Sequence, residues 1–246
     1  MKLNDLLTIV IPCKNEKDII SKTLDLLNHQ TNIKGVKVIV CDSSDDLYTK
    51  LVLFNKSEYN SNEYDFKLEV IEGGLPAKAR NNGFNLVTTP YVLFMDADIF
   101  LLDSNLLVNT VSKIKDEDLD LVSVRFRTDN GDYNYVYKVF DILQKLSMLI
   151  SPFCLGGFML TKSSKFKEIG GFDEEVKVAE DYVYSKQIKS NKFKIHNAFV
   201  YTPPRRFHNK GLWYMTKLMI GSVLNKNNKE YFKDSKSYWS WKHGEQ

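Results

Sequence analysis

The stretch Tyr91-Val92-Leu93-Phe94-Met95-Asp96-Ala97-Asp98 decides how the chain is interpreted. Its first five residues form a continuous apolar run, which is typical of a strand buried on both faces of a parallel sheet. Ligands of open α/β sheets bind outside the carboxyl ends of such strands. Alternate residues of an extended chain point apart, so both carboxylates can serve one ligand only if the chain turns there. A divalent cation that bridges phosphate oxygens suits them, and capping of the next helix is the alternative.

The composition predicts one large globular α/β domain. Of the 246 residues, 43% are hydrophobic and 26% are charged, which excludes a disordered chain. No apolar run is long enough to span a membrane, and the N-terminal residues resemble no secretory signal. The three cysteines are widely spaced and fit neither a disulfide framework nor a zinc site. We therefore expect a cytoplasmic protein whose cysteines are small buried hydrophobes.

The net charge of +3 conceals an uneven distribution. Residues 186–246 contain 13 Lys and Arg but 3 Asp and Glu, whereas the preceding residues carry a net charge of −7. A basic C-terminal part on an acidic body favours an anionic surface or substrate near that end. A solvated lysine-rich surface is the alternative. We expect no nucleic-acid partner.

Hydrophobic periodicity predicts alternating strands and helices up to residue 95, an order that favours a parallel sheet. Strands are predicted at 6–12, 36–41, 67–71, 91–95, 119–126, 156–161 and 193–201. Helices are predicted after an N-cap at Asn15, then at about 47–55, 77–83, 104–114, 136–150, 163–170 and 180–190, and from 211 onward. Residues 203–208 read as an extended basic loop, because two prolines open them.

Six short motifs occur in an order that resembles the family 2 glycosyltransferases of the GT-A fold. They are Pro12-Cys13-Lys14-Asn15-Glu16, Asp42-Ser43-Ser44, Ala79-Arg80-Asn81 with Gly83, Asp96-Ala97-Asp98, Gly170-Gly171-Phe172-Asp173 and Glu180-Asp181. The resemblance covers about residues 6–208. It implies a Rossmann-like sandwich with a mostly parallel central sheet and helices on both faces. The glycosyltransferase domain would be residues 1–210, with the donor site in 6–100 and the acceptor and catalytic part in 101–210.

The resemblance also implies roles in binding a nucleotide-sugar donor. Asp98 would hold Mn²⁺ or Mg²⁺ against the donor diphosphate, with Asp96 as its less certain partner. Asp42 would accept a hydrogen bond from the nucleobase, such as the imide N–H of uracil, or else it caps a turn. The implied donor contacts are Pro12, Lys14, Glu16, Asp42, Lys78, Arg80 and Asp96. Lys14 departs from the aromatic residue of many relatives, and Arg80 has a structural salt bridge as its alternative.

For the catalytic part, the resemblance implies that Asp181 is the general base of an inverting transfer. One displacement needs one carboxylate to take the proton of the acceptor hydroxyl. The alternative is that Glu180 and Asp181 merely favour a helix N-terminus. Acceptor or diphosphate contacts are implied for Glu180, Gly157, Arg205 and Arg206. His208 is expected to return to the metal, or else it is a surface histidine.

The expected reaction transfers one sugar, from a UDP-sugar by preference, to a glycan or lipid-linked acceptor. The processive members of the family carry a Gln-x-x-Arg-Trp motif and transmembrane helices, and neither occurs in this sequence. A sugar-phosphate nucleotidyltransferase and a non-catalytic nucleotide- or glycan-binding module are the alternatives. Residues 211–246 are expected to form a helical tail. Its apolar stretch 212–224 would pack on the domain or lie on an anionic membrane surface, which would make the protein peripheral.

Overall fold

The structure, a computed structural model, describes residues 1–59, 63–147, 153–225 and 228–234. Within these ranges it contains seven strands and nine α-helices. The strands are β1 (Leu7–Cys13), β2 (Lys37–Asp42), β3 (Lys67–Glu72), β4 (Tyr91–Met95), β5 (Leu121–Thr128), β6 (Phe158–Lys162) and β7 (Phe193–Thr202). The helices are α1 (Ile20–Asn28), α2 (Leu47–Phe54), α3 (Pro76–Phe84), α4 (Leu106–Asp116), α5 (Asn134–Ser147), α6 (Ser163–Ile169), α7 (Glu180–Ser185), α8 (Arg205–Leu224) and α9 (Lys229–Lys233).

The seven strands form one mostly parallel sheet in the order β3-β2-β1-β4-β6-β5-β7. Strands β1 to β4 pair in parallel, as do β5 and β7, whereas β6 runs antiparallel to both β4 and β5. The carboxyl ends of β1, β2 and β4 therefore lie at one edge of the sheet. The prediction of a mostly parallel sheet is confirmed.

Alternate residues of β4 enter two hydrophobic cores on opposite faces of the sheet. Leu93 and Met95 belong to one core, which also contains Leu107 of α4. Val92 and Phe94 belong to the other, with Phe166 of α6. All five β4 residues are buried, as expected for a strand covered by helices on both faces.

Helix α3 lies very close to the sheet because of a glycine. A Cβ atom on Gly83 would approach Val10 Cγ1 to 2.4 Å and Cys41 Sγ to 2.8 Å. Cys41 is buried there as a free thiol, as are Cys13 and Cys154. Burial raises the pKa of Cys41 to about 12, so this thiol is unreactive at neutral pH. The prediction that the cysteines act as small buried hydrophobes is confirmed.

Two local predictions are wrong. Helix α1 begins at Ile20 with Ile19 as its N-cap, and Asn15 instead adopts a φ of 55°. The side-chain oxygen of Asn15 accepts backbone N–H bonds from Asp45 and Asp46. Residues 203–208 do not form an extended loop either, because α8 begins at Arg205. Prolines are compatible with a helix start, where the N–H groups have no intrahelical partner.

The C-terminal part is described only in portions. Helix α8 is broken at Gly211, whose φ is 77° and ψ is 155°, next to the predicted boundary at residue 210. Residues 235–246 of the predicted tail lie outside the described residues, as do residues 148–152 at the end of the predicted helix 136–150. Among the helices that the structure describes, none is long and apolar enough to cross a membrane.

Candidate active site

A cleft of about 1420 Å³ opens at the carboxyl ends of β1, β2 and β4. This is where α/β sheets bind ligands, and it exceeds the roughly 300–1,000 Å³ of an ordinary small-molecule site. Thirteen of the fourteen predicted site residues line it. They are Pro12, Lys14, Glu16, Asp42, Lys78, Arg80, Asp96, Asp98, Gly157, Glu180, Asp181, Arg205 and Arg206.

The chain turns at Asp96-Ala97-Asp98, as expected. The N–H of Ile99 donates to the carbonyl oxygen of Asp96 at 3.2 Å, and the Thr23 hydroxyl donates to the carbonyl oxygen of Ala97 at 2.6 Å. Ala97 and Ile99 are buried in the core. The intervening apolar residues thus anchor the turn, and both carboxylates are left at the cleft wall.

Arg80 joins the donor side of the cleft to the predicted catalytic side. Its Nη2 lies 2.7 Å from Asp96 Oδ1, and its Nη1 lies 2.5 Å from Glu180 Oε1. The side chain is only 3% exposed and lies over the ring of Phe172. Among the described residues, its Nε is the one buried side-chain polar atom without a hydrogen-bond partner. The salt-bridge alternative for Arg80 is therefore realised.

Arg205 makes a similar bridge on the other side of the turn at Asp96-Ala97-Asp98. Its Nη1 and Nη2 each lie 3.0 Å from an oxygen of Glu16, and Nη2 also donates to Asp98 Oδ2 at 3.1 Å. Burial raises the pKa of Glu16, although the bond to Arg205 opposes this. Arg206 adds a cation 4.0 Å from Asp96 Oδ2. The start of α8 thereby places two guanidinium groups over the two acids.

Asp181 stands in a different electrostatic environment. Its Oδ1 accepts the N–H of Tyr182 at 2.8 Å. Burial, assisted by the charge of Glu180, raises the pKa of Asp181 to about 7, although the Tyr182 N–H and Arg80 oppose the shift. Within the described residues, Asp181 forms no salt bridge. A carboxyl group with this pKa can gain and lose a proton at neutral pH, which suits a general base.

Gly156 is a site residue that sequence reasoning missed. A Cβ atom there would lie 2.9 Å from Asp181 Oδ2, so only glycine leaves the carboxyl group its present position. The predicted neighbour, Gly157, accepts the backbone N–H of Asp96. Of the two adjacent glycines, Gly156 thus leaves room for the Asp181 carboxylate, and Gly157 bonds to the backbone of Asp96. The Gly-Gly pair was a visible signal, but its role depends on contacts with residues distant in sequence.

The end of the cleft near Asp42, where the nucleobase is expected, is polar and carries lysines. Asp42 Oδ1 accepts the N–H of Ser44 at 3.0 Å, so it caps a turn while it lines the cleft. Lys14 pairs with Asp45 at 3.3 Å on the exposed rim. Lys50 of α2 also lines the cleft, although its place on a helix face gave no sequence signal.

Asp96 and Asp98 supply too few ligands for a divalent cation unless a phosphate ligand completes the coordination. Among the described residues, no three His, Cys, Asp or Glu side chains are grouped so that they could hold a metal. Mg²⁺-type sites, however, commonly use one or two carboxylates and complete their coordination with substrate phosphates. Asp98, with Asp96 beside it, offers such a set. The oxygen donors therefore suit Mn²⁺ or Mg²⁺ bound with a diphosphate.

His208 is the predicted site residue that the structure does not bring to the cleft. Its ring packs against Tyr133 at 5.5 Å between centroids, and Nε2 lies 3.9 Å from Asp132 Oδ2. On α8, His208 lies about 200° around the helix axis from the cleft-lining Arg206, and its ring contacts Tyr133 instead of the cleft. The structure thus places His208 at the surface, outside the set of residues that line the cleft, which is the alternative stated for it.

Comparison with solved structures shows the same fold in glycosyltransferases. The mannosyltransferase PcManGT from Pyrobaculum calidifontis, in complex with GDP-Man and Mn²⁺, aligns with a TM-score of 0.68 and 20% identity over 93% of this chain and 67% of that one. S. aureus TarS 1-349 in complex with UDP aligns with a TM-score of 0.61 and 20% identity, over 96% of this chain and 72% of that one. These likenesses identify the GT-A fold.

Sequence comparison identifies the family. The poly(ribitol-phosphate) beta-glucosyltransferase of Bacillus spizizenii is 26% identical over 221 residues, which are 82% of this chain and 35% of that protein. The chain spans about a third of the length of the curated relatives it matches. The profile of the family described as glycosyl transferase family 2 matches residues 8–170, more than half of the chain. The chain belongs to glycosyl transferase family 2.

Proposed function

We propose that the chain is a metal-dependent, inverting glycosyltransferase that moves one sugar from a nucleotide-diphospho-sugar to a hydroxyl group of a glycan or lipid-linked acceptor. The observation that carries the proposal is the single cleft that Asp42, Asp98 and Asp181 all line. A nucleobase-side acid, a diphosphate-side acid and an acid able to exchange a proton are what such a transfer needs. Family membership supports the same reaction class.

On the donor side, fixed charges would bind the nucleotide diphosphate. Asp42 would accept a hydrogen bond from the base, and the guanidinium groups of Arg205 and Arg206 would approach the diphosphate, which arginine binds well. Asp98, with Asp96, would hold the cation, which when bound would supply positive charge against the departing diphosphate.

On the catalytic side, Asp181 would act as the general base. The deprotonated carboxylate takes the proton of the acceptor hydroxyl while that oxygen forms a bond to the anomeric carbon of the donor. The bond from this carbon to the diphosphate oxygen breaks on the opposite face, and the nucleoside diphosphate leaves. One displacement inverts the anomeric carbon and requires no covalent intermediate.

A uridine donor is the preferred choice among nucleotides. Asp42 can accept from the imide N–H of uracil, and solved relatives of this fold carry UDP or UDP-GlcNAc in TarS. The mannosyltransferase with GDP-Man provides the competing base. The curated beta-glucosyltransferase acts, by its name, on poly(ribitol-phosphate), which supports a polymeric acceptor. The family favours this reaction over the nucleotidyltransferase and over the binding module.

A thermal-shift panel tests the donor assignment. We expect UDP and UDP-sugars with Mn²⁺ to raise Tm more than GDP or CDP compounds do, because ligands that bind only the folded state stabilise it by mass action. Asp42→Ala should abolish the preference for UDP. Asp18→Ala, which removes an exposed acid outside the cleft, is the matched control. Stabilisation by GDP alone would contradict the uridine assignment, and no response to any nucleotide would contradict the donor site.

A further inference from the structure

Helix α5 has two faces that lie in different environments. On its inner face, Val136 and Phe140 pack against Phe207 of α8, and Phe140 also lines the cleft beside Tyr137. Its outer face is exposed. The exposed side chains between residues 134 and 146 are Tyr135, Lys138, Val139, Ile142, Leu143, Lys145 and Leu146.

The outer face of α5 combines an apolar stripe with positive charge. Five of its seven side chains are apolar or aromatic, and at 3.6 residues per turn they fall within an arc of about 100°. The other two, Lys138 and Lys145, flank one edge of that arc. The one acid of the helix, Asp141, is turned inward, where its Oδ2 lies 2.7 Å from Arg127 Nη2. The outer face therefore presents no negative charge.

A helix of similar length shows the ordinary arrangement for a soluble surface. In α4 the apolar residues Leu107, Val111 and Ile114 are buried, and the exposed side chains are Asn109, Lys115 and Asp116. Exposed apolar residues at helical spacing are thus not required for a helix to pack on this sheet. The outer face of α5 has a composition that suits an interface.

We propose that the outer face of α5 docks on an anionic lipid surface. An apolar stripe beside lysines, without acids, is the composition of helices that lie in the membrane interface. Negatively charged headgroups attract such lysines, whereas a neutral apolar partner would not require them. The sequence analysis considered a membrane surface only for the tail, with packing on the domain as the alternative, and α5 is a separate helix.

Helix α8, which packs against the inner face of α5, also carries an exposed aromatic side chain. Leu212 packs with Phe207 in the small core that joins α8 to α5. The next residue, Trp213, is 86% exposed, as expected for an aromatic side chain at headgroup level. Between residues 205 and 224 the helix contains no Asp or Glu, and of its four Arg and Lys residues Arg205 and Arg206 line the cleft, which leaves Lys210 and Lys217 outside it.

Docking through α5 would place the acceptor end of the cleft beside the lipid. The helix forms part of the cleft wall through Tyr137 and Phe140, and its opposite face would contact the bilayer. This consequence rests on the proposed function, since it identifies the acceptor as one carried by a lipid. An acceptor anchored in the bilayer would then reach Asp181 without leaving the membrane surface.

Co-sedimentation of the full chain with vesicles tests the docking. We expect binding to phosphatidylcholine vesicles that contain phosphatidylglycerol, and much weaker binding to phosphatidylcholine alone. The variant Ile142→Glu with Leu146→Glu should weaken binding about tenfold or more, because it places charge in the apolar stripe. Leu102→Glu is the matched control, since Leu102 is 57% exposed, Ile142 is 59% exposed, and Leu102 lines a separate groove. Its binding should equal that of the wild type.

Three results would overturn the docking proposal: full binding by the α5 variant, an equal loss in the Leu102→Glu control, or equal binding to neutral vesicles. A wild-type dimer that the α5 variant dissociates, without vesicle binding, would assign the face to a second copy of the chain instead. The Tm increase by UDP, measured on the same samples, separates this proposal from the proposed function. If vesicles bind but no nucleotide does, the docking stands and the transferase assignment fails.

Discussion

The donor side and the catalytic side of the cleft balance their negative charges in different ways. Asp96 and Asp98 each accept a hydrogen bond from an arginine, at 2.7 Å from Arg80 and 3.1 Å from Arg205. Asp181 makes no salt bridge within the described residues, and its pKa rises to about 7. Asp96 and Asp98 are therefore each bonded to a guanidinium group, whereas Asp181 is a buried carboxyl group whose raised pKa would let it exchange a proton at neutral pH.

The largest expected effect is at Asp181. Asp181→Asn should lower transfer by about 10²–10⁴-fold, the usual contribution of a general base, while the affinity for UDP stays within a few-fold of the wild type. The asparagine keeps the size of the side chain and removes only the proton acceptor. Parallel measurement of product formation and nucleotide binding checks this. An equal loss of transfer and of UDP binding would contradict the assignment of catalysis to Asp181 and of donor binding to the other side of the cleft.

The next effect is at Asp98, on the donor side. Asp98→Ala should lower transfer by about two orders of magnitude, because a bound cation contributes several kcal/mol of charge stabilisation. It should also remove the Mn²⁺-dependent part of the Tm increase by UDP. A chelator should reproduce the loss in the wild type. Full activity of the wild type in chelator would contradict the metal assignment.

A smaller effect is expected from the two glycines beside the acids. Gly156→Ala should push the Asp181 carboxylate from its position, since the new Cβ would lie 2.9 Å from Oδ2, and lower kcat about tenfold or more. Gly157→Ala is the matched variant. Its Cβ would meet Phe126 and Ile99 near the turn that holds Asp96, so the KM for the donor should rise. The same kinetic change in both variants would contradict the separation.

Sequence patterns predicted the parts of the fold that depend on local periodicity. The β4 residues show this best, because a strand buried on both faces must be apolar at every position. The turn at Ala97 and the mostly parallel sheet followed from the same reasoning. The start of α8 was missed, since Pro203-Pro204 is compatible both with an extended loop and with a helix start.

The sequence predicted which residues belong to the candidate site but not which of them contact one another. Nine of the thirteen predicted residues that line the cleft lie in the six motifs, yet the bond from Arg80 to Glu180 joins positions 100 residues apart. No spacing rule predicts such a pair. The same limitation applies to Gly156, whose importance depends on Asp181, and to His208, which packs against Tyr133 instead of the cleft.

Asp181 is the acid that we propose exchanges a proton near neutral pH. Its pKa is 3.8 ordinarily and about 7 in the folded chain, so between these values the native state holds a proton that the unfolded state has released. The free energy of unfolding contributed by this group therefore falls as pH rises from about 4 to 7. The Asp181→Asn variant has no titrating group at this position, so its free energy of unfolding lacks this decrease with pH.

The most direct measurement is Tm against pH for the wild type and Asp181→Asn, which requires no acceptor. The difference, variant minus wild type, should grow as pH rises from about 4 to 7 and level off above the folded-state pKa of about 7. A difference that stays constant over this range would show that Asp181 has an ordinary pKa, and would contradict the account.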